Sequence, residues 1–201
     1  MSRLLSNYVT DEDKIAILNK YVKQIINYSN SFNIIGRSTL TDIWERHILD
    51  SAQISNLLPD TNKDEKILDV GTGAGLPGVV LAIMGRENII LCEKSPKKVS
   101  FLRKMLKDFS INATIYAGKV QNFEDKKIKV IIARAFAPLQ KLISSVIHLV
   151  KNDTTLILHK GKKYKMEIEE ALKVFYFSYE CKPSVSSKEG KVIIIRNIKK
   201  K

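Results

Sequence analysis

The 201-residue sequence is poor in the residues that disulfides and structural metal sites need. Its two cysteines, Cys92 and Cys181, lie far apart and form no Cys-x-x-Cys pair. This spacing argues against a disulfide framework or a zinc site and is typical of a reducing compartment, so we expect a cytoplasmic location. Cys92 falls within an apolar run, which predicts a packed core residue.

Long apolar runs are also missing. No run approaches the ~18 residues that cross a bilayer, and the first seven residues lack the apolar core of a signal peptide. We therefore expect no membrane contact.

Acidic residues are scarce relative to basic ones. The chain has 34 Lys and Arg against 21 Asp and Glu, a formal net charge of +13. An excess of this size favours a polyanionic partner or an anionic surface, with a merely solvated basic surface as the alternative.

Familiar catalytic sets are absent too. The sequence shows no convincing Ser-His-Asp set, no cluster with metal-ligand spacing and no paired catalytic carboxylates. Hydrolases that depend on such groups are disfavoured, and we expect no bound metal.

What the chain does contain begins with a helical region. Thr10 followed by three acidic residues reads as a helix N-cap, and apolar residues recur at helical spacing to about Ser31. A second helical pattern extends from Ile43 to Ile54. Residues 1–62 are predicted to be a helical cap, and residues 63–201 a cofactor-binding domain, together forming one globular unit.

Strands and helices alternate after the cap. The predicted strands are Lys66–Val70, Asn88–Glu93, Ala113–Tyr116, Lys129–Ala133, Thr155–His159, Phe175–Tyr179 and Val192–Arg196. The predicted helices are Pro77–Met84, Pro96–Phe109, Leu139–Val150 and Lys165–Val174. Strand cores without polar alternation indicate burial on both faces, and the last two strands have no helix between them. The pattern predicts a doubly wound, mostly parallel seven-stranded α/β sheet with an antiparallel C-terminal hairpin, followed by a mobile tail at 199–201.

The most informative motif is a glycine loop that follows the first strand. Asp69 ends the strand, and Gly71, Gly73, Gly75 and Gly78 follow within nine residues. The pattern fits a dinucleotide fingerprint, and it also fits an acidic residue followed by Gly-x-Gly-x-Gly, the first motif of S-adenosylmethionine-dependent methyltransferases. Asp69 would repel a pyrophosphate but suits a cationic amino acid moiety, so it favours the methyl donor. Glu93 suits the ribose hydroxyls of either ligand.

Five segments together resemble the ribosomal RNA small subunit methyltransferase G family, also called glucose-inhibited division protein B. They match the family in order and spacing: Phe32–Ile35, Glu45–Ser51, Asp69–Gly78, Lys97–Leu102 and Ala133–Leu139. The resemblance extends from about Phe32 to the C-terminus.

The resemblance implies a Rossmann-like class I methyltransferase that transfers a methyl group from S-adenosyl-L-methionine to N7 of one guanine in 16S ribosomal RNA. Its partner would be 16S rRNA or the small ribosomal subunit, and we expect a monomer. Methylation of another RNA or of a protein, a small NAD-dependent reductase and a non-catalytic RNA-binding module remain as alternatives.

Site residues follow from the motif, the resemblance and their places at strand ends. The predicted cofactor-binding residues are Asp69, Gly71, Gly73, Gly75, Leu76, Glu93, Val120, Gln121 and Arg134. The predicted catalytic residues, which would lie at the transfer site, are Asn33, Arg134 and Lys160. Asn33 has a second interpretation as a helix C-cap, and Arg46 could bind RNA phosphate or pair with Asp50.

Overall fold

The computed structural model describes residues 3–60, 62 and 64–201. A seven-stranded sheet has the order β3-β2-β1-β4-β5-β7-β6. The strands are β1 (Lys66–Val70), β2 (Ile89–Glu93), β3 (Thr114–Ala117), β4 (Ile128–Arg134), β5 (Thr155–Lys160), β6 (Phe175–Pro183) and β7 (Lys191–Lys200). Strands β1 to β5 are parallel, whereas β7 pairs antiparallel with both β5 and β6. The predicted fold class is confirmed.

Six α-helical segments accompany the sheet in the described part of the chain. They are α1 (Glu12–Ser31), α2 (Asp50–Ala52), α3 (Gly78–Ile83), α4 (Pro96–Asp108), α5 (Leu139–Val146) and α6 (Tyr164–Leu172). A π-helical turn, Trp44–Leu49, leads into α2, and short 3₁₀ turns include Arg37–Thr39, Ser55–Leu57, Val120–Asn122 and Ile147–Leu149. None of the helices in the described ranges is long and apolar enough to cross a membrane.

Apolar side chains of the parallel strands alternate between two cores. Ile67 of β1 packs on one face of the sheet, and its neighbour Leu68 packs on the other. Both faces are therefore covered, as the unbroken apolar runs predict. The buried residues Leu18, Tyr21 and Ile25 of α1 belong to the same core as Ile67, so the cap closes one face of the sheet. Cys92 is buried as predicted.

Several boundaries differ from the sequence-based expectations. Asp11, not Thr10, caps α1, because its carboxylate accepts hydrogen bonds from the N–H groups of Asp13 and Lys14 at 3.0 and 3.1 Å. The helix predicted over 139–150 ends at Val146 and continues as a 3₁₀ turn.

The predicted mobile tail is also wrong for most of its length. Lys199 and Lys200 continue β7, where they pair with Tyr176 and Phe175 of β6, and the ammonium of Lys201 lies 4.8 Å from the Tyr176 ring centroid. The β ladder and this cation–π contact order a stretch whose composition indicates a solvated tail.

Candidate functional site

A cleft of about 610 Å³ opens at the carboxyl ends of the parallel strands. Its walls come from the glycine loop after β1, the ends of β4 and β5, the cap segment 34–50 and the β6–β7 loop. Lining residues include Ile34, Ile35, Gly36, Arg46, His47, Asp50, Gly71, Thr72, Gly73, Leu76, Lys98, Arg134, His159, Lys160, Ser186 and Lys191. Ligands of open α/β sheets bind at this edge, so the cleft is the candidate site.

The glycines of the loop face different surroundings. Gly73 has a φ of +62°, and a Cβ placed there would meet no heavy atom closer than 3.9 Å, so its backbone is open to a ligand in the cleft. Gly75 has a φ of +95°, and a Cβ there would lie 2.4 Å from Val79 and 2.7 Å from the Tyr21 hydroxyl. Gly75 therefore permits close packing of the loop against α1 and α3 and does not line the cleft.

Asp69 is fully buried beneath the loop. Its Oδ2 accepts hydrogen bonds from the Thr72 hydroxyl at 2.5 Å and from the Gly78 N–H at 2.8 Å. Burial raises the pKa of Asp69 to about 7, although both hydrogen bonds oppose this rise. Asp69 therefore acts from behind the loop, holding it in shape, and the structure does not place its carboxylate among the cleft-lining groups.

The same contacts bear on the dinucleotide alternative. A pyrophosphate bound at the start of α3 would need the free N–H groups of that helix end. The Gly78 N–H instead donates a hydrogen bond to the buried carboxylate of Asp69. This arrangement disfavours the NAD-dependent reductase.

Glu93 lies at the end of β2 with both carboxylate oxygens in use. Oε2 accepts from the Gly73 N–H at 3.0 Å, and Oε1 accepts from the Ser95 N–H at 2.8 Å. The side chain thus ties the glycine loop to the turn before α4. A carboxylate oxygen accepts more than one hydrogen bond, so contact with ribose hydroxyls remains compatible with this geometry.

Val120 and Gln121 lie outside the cleft lining, in the 3₁₀ turn after β3. Val120 is buried, whereas Gln121 is exposed and its amide nitrogen donates to the Ser145 hydroxyl at 3.2 Å. A ligand that contacts Val120 and Gln121 with its adenine, as predicted, would therefore extend from the cleft past the end of β2.

Arg134 reaches from the end of β4 to the cap. Its Nη1 donates to the Arg46 carbonyl at 2.8 Å and lies 3.6 Å from Asp50 Oδ2, while Nη2 lies 2.6 Å from His47 Nδ1. Burial, followed by the charge of Arg134, lowers the pKa of His47 to about 4, so the imidazole is neutral near pH 7. Since a guanidinium only donates, His47 Nδ1 accepts, and its Nε2–H faces the Thr39 hydroxyl at 2.6 Å.

Asp50 joins the cap to two further elements. Its carbonyl lies 2.7 Å from Nε2 of buried His159 at the end of β5, and its Oδ1 accepts from the Ser186 hydroxyl of the β6–β7 loop at 2.5 Å. Of the two roles open to Arg46, pairing with Asp50 is not realised, because the cation beside Asp50 is Arg134. Nothing in the local sequence around Ser186 predicts its contact with Asp50, 136 positions away.

Lys160 and Asn33 occupy unlike positions. Lys160 lines the cleft, but its ammonium donates to the Ala137 carbonyl at 2.7 Å and to Glu167 at 2.8 Å. Its side chain is only 7% exposed. Asn33 is exposed beside the cleft-lining Ile34 and is not the C-cap of α1, which is Phe32. In the described ranges, no group of His, Cys, Asp and Glu could hold a metal ion.

Comparison with protein families identifies the fold and the relatives of this chain. The family model described as rRNA small subunit methyltransferase G matches residues 14–198. Ribosomal RNA small subunit methyltransferase G of Zymomonas mobilis is 35% identical over 83% of this chain and 78% of its own length. The protein of that name from Rickettsia felis is 32% identical over 94% of both chains. These matches confirm the predicted resemblance.

Solved structures support the fold at low sequence identity. A glycopeptide N-methyltransferase complexed with S-adenosylmethionine matches with a TM-score of 0.60 and 11% identity, over 75% of this chain and 93% of its own. A ribosomal protein L11 methylase from Lactobacillus delbrueckii subsp. bulgaricus matches with a TM-score of 0.58 and 17% identity, over 73% and 75%. The architecture is that of class I methyltransferases.

Proposed function

We propose that this chain, which belongs to the rRNA small subunit methyltransferase G family of S-adenosylmethionine-dependent enzymes, methylates N7 of one guanine in 16S ribosomal RNA. The observation that carries this proposal is the cleft in which the open backbone of Gly73 faces the cap across the end of β4. The net charge of +13 suits an RNA partner.

The residues present fit S-adenosyl-L-methionine. Gly73 leaves room for a ligand against the backbone, and Glu93 lies at the neighbouring strand end with oxygens suited to ribose hydroxyls. Gly71, Leu76 and Arg134 line the adjoining part of the cleft and would hold the methionine end. Asp69 would support the loop from beneath, Gly75 would let it pack against α1 and α3, and Val120 with Gln121 would meet the adenine end.

The reaction requires the protein chiefly to align guanine N7 with the methyl group of the donor. When bound, S-adenosyl-L-methionine supplies an electrophilic methyl group. Guanine N7 has an in-plane lone pair and no proton, so no general base is needed. Catalysis then rests on proximity and orientation, which the cleft walls provide. Arg134, Lys160 and Asn33, the predicted catalytic residues, would act by shaping or contacting the transfer site, without taking up a proton.

Location and assembly follow from the substrate. A protein that modifies the small ribosomal subunit works where ribosomes are assembled, so we place it in the cytoplasm, acting as a monomer on 16S rRNA without a membrane or a metal. The oligomeric state is testable by light scattering of the purified chain, for which we expect the mass of one copy, 22.8 kDa.

Transfer of labelled methyl groups to small subunits that lack this modification tests the function. We expect label at N7 of a single 16S guanine after nuclease mapping. Gly73→Val is the inactive variant for comparison, since the valine side chain would fill the space through which a ligand reaches the backbone of residue 73. This variant should lose methyl transfer and keep RNA binding. Label on a protein or another RNA, or RNA binding without any transfer, would instead favour one of the alternatives.

A further inference from the structure

The cations of the cleft fall into two groups. Arg134 and Lys160 donate to carbonyl and carboxylate oxygens of the protein itself. Arg46, Lys98 and Lys191 line the same cleft, yet none of them takes part in the ion pairs formed by described residues. The second group is therefore the one available to an anion that enters the cleft.

Arg46 differs from the two lysines in its surroundings. Lys98 Nζ lies beside the glycine loop, 3.9 Å from a Cβ placed at Gly73, and Lys191 Nζ lies 6.0 Å from the Tyr164 ring centroid. Arg46 is exposed on the cap wall of the cleft, in the π-helical turn. An anion bound by Arg46 would thus contact the cap and not the cofactor loop.

The backbone under Arg46 is fixed from β4. Arg134 donates to the carbonyl of Arg46 at 2.8 Å and contacts His47 Nδ1 at 2.6 Å, so two consecutive residues of the turn are held by one guanidinium. His47 in turn contacts Thr39, whose hydroxyl donates to the Gly36 carbonyl at 2.6 Å. This series of contacts orders the backbone of the cap wall from which the Arg46 side chain extends.

With RNA as the substrate, as proposed above, we propose that Arg46 binds a phosphate of the RNA strand beside the target guanine. Arg134 is then a positioning residue for Arg46. A base that enters an active-site cleft leaves its sugar–phosphate backbone at the mouth, where Arg46 lies. A guanidinium binds a phosphate through two parallel N–H···O bonds, a geometry that a lysine cannot reproduce.

Equilibrium binding of unmodified small subunits, measured with S-adenosylhomocysteine present at several salt concentrations, tests the role of Arg46. We expect Arg46→Ala to raise Kd about tenfold and to reduce the slope of log Kd against log salt by about 1. Arg196→Ala is the matched control: this exposed arginine lies five residues along β7 from the cleft, and its loss should change Kd less than twofold. S-adenosylmethionine affinity should not change in either variant.

A double-mutant cycle tests the positioning role. Arg134→Lys keeps the positive charge but loses the two guanidinium nitrogens that contact Arg46 and His47. We therefore expect weaker subunit binding in the wild-type background and no further loss in an Arg46→Ala background. With S-adenosylhomocysteine saturating for every variant, additive losses would overturn the positioning role and show that Arg134 acts on RNA binding independently of Arg46. An unchanged Kd and salt slope for Arg46→Ala, with wild-type methylation intact, would overturn this inference alone. Failure of the wild-type protein to bind or methylate subunits would overturn the proposed function as well.

Discussion

The glycine loop and the cap turn face each other across one cleft but are held by different means. The loop is held largely by neighbours close in sequence, since Asp69 accepts from Thr72 and Gly78 and Gly75 adopts a positive φ. Its longer-range contacts are to Glu93 of β2 and Tyr21 of α1. The cap turn is held by β4, β5 and the β6–β7 loop, through Arg134, His159 and Ser186.

The difference separates cofactor geometry from substrate geometry. A wall held mostly by local contacts is less sensitive to changes in distant parts of the chain. A wall held by distant side chains changes whenever one of those partners is altered. We therefore expect damage to the loop to lower stability or cofactor binding, and damage to the cap contacts to act mainly on RNA.

The largest effect is expected at Gly75. Gly75→Ala combines a strained φ with contacts to Val79 and Tyr21 that are too short, and should lower the free energy of unfolding by about 4 kcal/mol in urea denaturation. Gly161→Ala, where nothing lies within 4 Å, should change it by less than about 0.5 kcal/mol.

Gly73→Ala should fold but bind S-adenosylmethionine poorly. Tight binding by this variant would contradict a ligand that lies against the backbone of Gly73.

Asp69 is expected to give a pH dependence opposite in sign to that of His47 in the cap turn, whose lowered pKa makes the folded protein lose stability as pH falls from 6.5 towards about 4. Its ordinary pKa of 3.8 rises to about 7 in the folded protein, so between these values the folded state holds a proton that the unfolded chain has released. The free energy of unfolding from this group is therefore highest at low pH and falls by about 1.4 kcal/mol per pH unit, until pH passes about 7.

Asp69→Asn removes this titration. The difference in unfolding free energy between wild type and variant should change by about 3 kcal/mol between pH 4.5 and 7.5, in the direction of lower wild-type stability at high pH. Asp153→Asn, at an exposed carboxylate beside Lys129, should give a constant difference over that range. Parallel stability curves for wild type and Asp69→Asn would contradict a buried, proton-binding Asp69.

Lys160 is expected to stabilise the floor of the cleft. Lys160→Met leaves Glu167 and the Ala137 carbonyl without this partner and should lower the unfolding free energy by about 2 kcal/mol. Lys173→Met breaks an exposed pair with Glu170 and should cost less than about 0.5 kcal/mol. Equal effects would show that burial of the Lys160 pair does not matter.

The smallest stability effect is expected at Thr39. Thr39→Val removes the hydroxyl between His47 and the Gly36 carbonyl, and should lower the unfolding free energy by about 1 kcal/mol. Imidazole nitrogen NMR should show that the His47 Nε2–H has lost its hydrogen-bond partner, while Nδ1 still accepts from Arg134. Thr39→Ser retains the hydroxyl and should restore both; if it does not, the methyl group of Thr39 is what matters.

Features with a local cause were the predictable ones. Unbroken apolar runs placed the central parallel strands, aromatic and β-branched residues placed the C-terminal hairpin, and the acidic residue with its glycines placed the loop. The cofactor and enzyme class follow from the same loop and are confirmed by family membership. The helical pattern of 43–54 indicated the cap but not its π-helical turn, since π turns are rare and a six-residue segment is too short to show a period of its own.

The sequence by itself determined the sheet, the hairpin and a cofactor loop, because periodicity and glycine spacing act through neighbours along the chain. Only the tertiary structure decided which polar groups face the ligand. Asp69 is buried beneath the loop, Gly75 packs against α1 and α3, and Lys160 pairs with Glu167, whereas Arg46 lines the cleft with its charge exposed. Such assignments depend on contacts between residues up to 136 positions apart, as for Asp50 and Ser186, and no local pattern encodes them.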